Sequence, residues 1–133
     1  MDTLFYEKKY ETMARGKLEA LQLTRLKKTL ARVYANNPVY RKAFDEAGVK
    51  PSDLKNLADL AKFPTINKTV FRDTYPMGLM CVDKKKIVEM HMSSGSTGTP
   101  VVMPYTQGDL DQWASCMSRC YAMAGAKPTD VVQ

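Results

Sequence analysis

Between Lys17 and Tyr34 the apolar positions are Leu18, Leu21, Leu26, Leu30, Val33 and Tyr34. They recur as one side of a helix turning every 3.6 residues, with Lys27, Lys28 and Arg32 on the other side. Asn37 then offers a side-chain cap, and Pro38 suits the first position of a new helix, Pro38–Ala47, whose covered side is Val39, Tyr40, Ala43 and Phe44. Gly48 can end that helix. A short helix is predicted from Leu57 to Lys62, with Asn56 and Asp59 in capping-box positions and Pro64 as its stop. Asn67 is placed to cap one more short helix running through Arg72.

The period then changes. In Ile87–Met92, Val88, Met90 and Met92 alternate with Glu89 and His91, which is the pattern of a strand. Val101–Met103 reads as a second strand, and Pro104 assigns it to an edge or an end. A long helix is predicted from Gly108 to Ala124, with Thr106 and Asp109 as its capping box and Gly125 as its end. Its expected buried stripe is Leu110, Trp113, Ala114, Met117, Cys120, Tyr121 and Ala124. Asp130, Val131 and Val132 read as the start of a further strand.

Composition narrows the function classes. The chain has 133 residues, 44% of them hydrophobic, enough for one packed domain. No apolar run approaches the ~20 residues of a membrane span, and the charged start, Met1 to Tyr10, is no secretory signal. The net charge of +6 is concentrated early: residues 1–50 hold 11 Lys or Arg against 6 Asp or Glu, and residues 93–133 hold 2 against 3. The basic residues scatter along helical segments and carry no nucleic-acid motif, so solvated helix faces are expected and neither nucleic acid nor membrane is a predicted partner. Cys81, Cys116 and Cys120 fit no disulfide framework and no CxxC site. Cys116 and Cys120 are expected as small core residues, and reduced thiols without a signal point to the cytoplasm. His91, the single histidine, is expected on the wetted face of its strand.

The chemistry sits between the two strands. Ser93-Ser94-Gly95-Ser96-Thr97-Gly98-Thr99-Pro100 has no charge, no aromatic ring and no long aliphatic chain. Glycines let the backbone approach a ligand closely, successive N–H groups can converge on an anion, and hydroxyls rotate to meet phosphate oxygens. From composition alone, a phosphate cradle and a plain polar hairpin loop stand level. It is not a Walker loop, because Gly98 is followed by Thr99, Pro100 and a strand instead of Lys-Ser/Thr and a helix.

The octapeptide resembles the Ser/Thr/Gly-rich phosphate loop of adenylate-forming enzymes. Its flanks, Phe63-Pro64-Thr65, Phe71 to Pro76, Gly78, Tyr105-Thr106, Asp109-Leu110 and Trp113, are similar to those of the phenylacetate-coenzyme A ligase family. So are Glu11-Thr12-Met13, Leu18 to Leu23, Pro38 to Arg41 and Phe44, which extends the resemblance over essentially the whole chain. One position departs: the family's loop usually has lysine where this chain has Thr99. A lost charge-assisted hydrogen bond, worth about 1.5–3 kcal/mol, implies weaker triphosphate binding.

The resemblance implies an α/β fold: a helical N-terminal region, 1–76, followed at 77–133 by the beginning of a large ATP-binding domain, truncated. It implies an AMP-forming ligase that converts an aryl acid, with phenylacetate favoured, to its coenzyme A thioester through an acyl-adenylate, with Mg²⁺ assisting. Ser94, Gly95, Ser96, Thr97 and Gly98 would wrap the β and γ phosphates, Thr97 foremost, with Ser93 and Pro100 fixing the loop ends. None is expected to act as acid or base. The family's adenine and acid pockets, magnesium-binding acid and catalytic lysine would lie beyond Gln133, so this chain alone is expected to be inactive. Strands left without partners also predict a homodimer or a swapped assembly. The competing expectation is a non-enzymatic interaction module with a degenerate loop.

Overall fold

A computed structural model describes residues 5–95, 98–127 and 129–131. Five helices and one hairpin follow in order: α1 (Lys8–Glu11), α2 (Arg15–Asn36), α3 (Pro38–Glu46), α4 (Lys68–Asp73), β1 (Ile87–Met92), β2 (Val102–Thr106) and α5 (Gln107–Met123). Three 3₁₀ turns, Pro51–Asp53, Leu57–Lys62 and Lys84–Lys86, connect them.

The apolar stripe of α2 faces α3 and the turns that follow it. Leu30, Phe44, Leu54 and Phe63 form the buried cluster, with Leu23, Leu26, Val33, Tyr34, Tyr40 and Val49 packed around it. Phe44, only 1% exposed, is the centre. Its ring meets Phe63 edge-on at 5.2 Å, Tyr40 edge-on at 6.3 Å and Tyr34 in a stack at 5.9 Å. Burying a side chain of this size stabilises by about 1.5–3 kcal/mol, and ring pairs add to it.

Asn37 caps α3 as expected, its Oδ1 accepting from the amides of Val39 and Tyr40 at 3.1 Å each. Its Nδ2 donates to the Gly78 carbonyl at 2.9 Å and reaches the Met80 carbonyl at 3.5 Å. This fully buried amide therefore ties the helical region to the segment that leads into β1. The Leu57–Lys62 element has the expected bounds and the Asn56–Asp59 box, but it is 3₁₀, not α.

β1 and β2 pair antiparallel, with Glu89 opposite Tyr105, Met90 opposite Pro104, His91 opposite Met103 and Met92 opposite Val102, after an irregularity at Ile87–Glu89. β2 begins one residue later than expected and runs on to Thr106 with Pro104 inside it. Both strands of a two-stranded ribbon are edges, where a missing N–H is tolerated.

α5 starts with the predicted box: the Thr106 amide donates to Asp109 Oδ2 at 2.9 Å, and the Asp109 amide donates to Thr106 Oγ1 at 3.3 Å. Hydrogen bonds from the Thr106 hydroxyl and amide hold the Asp109 carboxyl below its usual range. The expected buried stripe is not buried. Leu110 is half-covered, but Trp113, Ala114, Met117, Cys120, Tyr121 and Ala124 are exposed, and no described residue of α5 is fully buried. Cys116 is exposed as well, so neither thiol of this helix is a core residue. Asp130 and Val131 form no strand, and Val132 lies outside the described residues.

Candidate functional site

The 93–100 segment is the tip of the β1–β2 hairpin, where the sequence placed it. Its base is closed twice by one residue. The Ser93 amide donates to the Val101 carbonyl at 3.0 Å, and Ser93 Oγ accepts from the Val101 amide at 2.9 Å. Above that clasp the chain reverses at Gly95, φ +66°, and Gly98, φ +118°. The Gly98 amide donates to the Gly95 carbonyl at 2.9 Å. A Cβ on Gly95 would stand 3.0 Å from the Gly98 carbonyl oxygen, so glycine is required there by space and by backbone angle alike.

Ser93, Gly95 and Pro100 are half-buried, while Ser94, Gly98 and Thr99 are exposed. The structure thus gathers six of the eight predicted residues on one turn, with the hydroxyl-bearing Ser94 and Thr99 open to solvent. Ser96 and Thr97 lie outside the described residues. Uncharged hydroxyls and backbone amides on a turn forced by glycines can hold an anion, and none of these groups titrates near neutral pH.

Behind the hairpin, His91 lies on the side of β1 that faces α5. Its ring centroid is 5.1 Å from Tyr105 and 5.3 Å from Trp113, and Tyr105 stacks on Trp113 at 5.5 Å. Glu89 is the hydrogen-bond partner of His91 Nε2. The histidine therefore has a packing role on the polar side of its strand. A cavity of about 300 Å³ with mixed walls, Phe71, Met77, Leu79, Val102 and Pro104 alongside Arg32 and Asp109, opens between the 71–82 segment and the hairpin. None of the described loop residues lines it, and nothing in the sequence pattern pointed to it. Among the described residues no cluster of three or more His, Cys, Asp or Glu is placed to hold a metal ion. No helix of the described residues is long and apolar enough to cross a membrane.

No protein-family model matches the chain. Individual proteins do. It is 48% identical over 122 residues to the phenylacetate-coenzyme A ligase of Aromatoleum evansii, 46% over 122 residues to that of Escherichia coli (strain K12), and 45% over 125 residues to that of Thermus thermophilus. These matches cover 92–94% of this chain and 28% of each relative, so the chain spans a little over a quarter of their length. In fold it is similar to the crystal structure of 2-hydroxyisobutyryl-CoA ligase with 2-HIB-AMP and CoA. The open conformation aligns with a TM-score of 0.87 at 29% identity, covering 97% of this chain and 31% of that one. The thioesterification state aligns with a TM-score of 0.88 at 30% identity, covering 97% and 28%. The resemblance expected from the loop and its flanks is borne out, and so is the fold class.

Proposed function

We propose, for a chain similar in sequence to the phenylacetate-coenzyme A ligases and in fold to a 2-hydroxyisobutyryl-CoA ligase, that it contributes the phosphate-holding loop of an ATP-dependent, AMP-forming ligase joining an aryl acid to coenzyme A. A carboxylate is a poor electrophile because its leaving group would be oxide. Attack by its oxygen on the α-phosphorus of ATP forms the acyl-adenylate and releases pyrophosphate. The coenzyme A thiol then attacks the acyl carbon, and AMP leaves. The first step needs the β and γ phosphates held while negative charge moves onto them, a task for donors fixed in advance.

The single observation carrying this reading is the clasped hairpin tip: Ser93 bonded twice to Val101, with Gly95 and Gly98 at positive φ above it. On it, Ser94, Gly95, Ser96, Thr97 and Gly98 would wrap the phosphates, Ser93 and Pro100 would fix the ends, and Thr97 would give the first hydroxyl contact. We assign residues 1–76 to the helical region and 77–133 to the beginning of the ATP-binding domain. Phenylacetate is the acid we favour, by kinship with the relatives, and the cytoplasm is the compartment. No step is routed through Mg²⁺.

The test is acid-dependent ATP–pyrophosphate exchange by the full-length protein over a panel of aryl acids. Exchange should appear with phenylacetate, be absent from the isolated chain, and fall in Thr97→Ala with the fold retained. Unchanged exchange in Thr97→Ala rejects the loop assignment. A second reading, an interaction module, is favoured by Thr99 in the lysine position and by the exposed Val88, Met90 and Met92 on one strand. It predicts no exchange with any acid and a homodimer by light scattering.

A further inference from the structure

α2 and α5 face each other across a cleft of about 680 Å³. We propose that this cleft is a binding site for a small, multiply charged, phosphate-bearing molecule, separate from the 93–100 loop. Arg25, Lys28 and Arg32, spaced three and then four apart, line it from one ridge of α2. Ser115, Cys116 and Arg119 line it from the facing ridge of α5. Glu7 is the one carboxylate among the lining residues, and α5 already engages it. The Ser115 hydroxyl donates to Glu7 Oε2 at 2.8 Å, and Arg119 Nη1 pairs with the same oxygen at 3.6 Å.

Two of the three cations of α2, Arg25 and Lys28, are left uncompensated, whereas Arg32 also lines the cavity beside the hairpin together with Asp109, whose carboxylate its charge stabilises. Among the described residues none of the three has a carboxylate within ion-pair distance. The Arg25 guanidinium lies 5.7 Å from the Tyr10 ring centroid, a contact that steadies it and keeps its full charge. Like charges along one wall repel, and an anion carrying two or more charges relieves Arg25 and Lys28 together, with Arg32 beside them. Arginine forks suit phosphate oxygens, and the Ser115 hydroxyl adds a group that can turn toward them. The volume lies within the range of small-molecule sites. A solvated helix face would account for the α2 residues alone. It does not account for a second helix set opposite them whose own cation is already neutralised. None of the described loop residues lines the cleft, so this proposal does not rest on the function proposed above.

Two exposed thiols make the site testable. Cys116 lines the cleft and Cys120 does not, and trypsin cleavage after Arg119 separates them. The protein is titrated with inorganic pyrophosphate at constant ionic strength, pulsed with iodoacetamide, and each cysteine peptide is quantified by mass spectrometry. Pyrophosphate should slow Cys116 alkylation saturably and leave Cys120 unchanged, while chloride at the same ionic strength should do neither. The combined variant Arg25→Gln, Lys28→Gln, Arg32→Gln should raise the half-protecting concentration about tenfold or more. Thr97→Ala should leave protection intact. Absence of protection, protection that survives the triple variant, or protection lost in Thr97→Ala would overturn the proposal.

Discussion

Asn37 is the point at which two distant parts of the chain share one side chain, and its two halves can be tested apart. Asn37→Ala removes the acceptor for the Val39 and Tyr40 amides and the donor to Gly78. Losing a helix N-cap costs about 1 kcal/mol. The Gly78 carbonyl, left without its donor, adds about 1–2 kcal/mol, at the low end for an unpaired group because Gly78 itself is exposed to water. The sum, about 2–3 kcal/mol, is a sizeable part of a typical 5–15 kcal/mol stability and should lower the melting temperature by roughly 10 °C. Asn37→Asp keeps an acceptor for α3 but turns an oxygen toward the Gly78 carbonyl where an N–H had been. It should lose the second contribution and retain the first. Thermal unfolding gives the totals, and hydrogen exchange by mass spectrometry gives the places. Peptides covering Thr74–Val82 should exchange faster in both variants, and peptides covering the start of α3 only in Asn37→Ala. An Asp variant within about 0.5 kcal/mol of the parent, with no change at Thr74–Val82, would refute the claim that this amide ties the two regions.

Restoring a lysine at position 99 should tighten ATP binding to the full-length protein about tenfold, read by calorimetry, since one charge-assisted hydrogen bond would be regained. Hydrogen bonds from the Lys62 ammonium and from the amides of Asn56 and Lys55 pull the Asp59 carboxyl down from 3.8 to about 2. Its folded-state pKa is depressed, so the stability it contributes is complete above the unfolded value and fades as pH falls from about 4 toward 2. Asp59→Asn should flatten the melting-temperature profile across that window. Phe44→Ala empties the centre of the core and should cost about 3–5 kcal/mol by denaturant unfolding, whereas Tyr121→Gln, on an exposed face, should change stability by less than about 0.5 kcal/mol.

What was legible in the sequence was whatever is decided within a few residues. The caps at Asn37, Asn56–Asp59 and Thr106–Asp109 were readable because donor and acceptor stand two or three positions apart. The helical period of α2 was readable because it is a property of spacing. The second task of Asn37 was not, because Gly78 is 41 residues away. The 3₁₀ character of Leu57–Lys62 escaped because a six-residue run has too few turns to reveal its period. The loop's composition marked it as a place where backbone meets ligand, yet only its flanks distinguished a phosphate cradle from an ordinary hairpin. Arg25, Lys28 and Arg32 looked like a wetted face because no local rule states that α5 will stand across from them.

α5 shows the limit in its sharpest form. Its apolar residues recur with the period of a covered stripe, yet Trp113, Met117 and Tyr121 remain 43%, 41% and 47% exposed. Of these only Trp113 finds aromatic partners, Tyr105 and His91. Periodicity records that a helix has an apolar side. It does not supply the surface that covers it. Fully covering a side chain of this size is worth about 1.5–3 kcal/mol, so covering the remaining exposed part of all three is worth roughly 2–4 kcal/mol together. The stripe's spacing and the exposed Val88, Met90 and Met92 on β1 have one physical consequence in common. The helical region around Phe44 has its core within these residues, whereas the hairpin and α5 present apolar faces that the described residues do not cover.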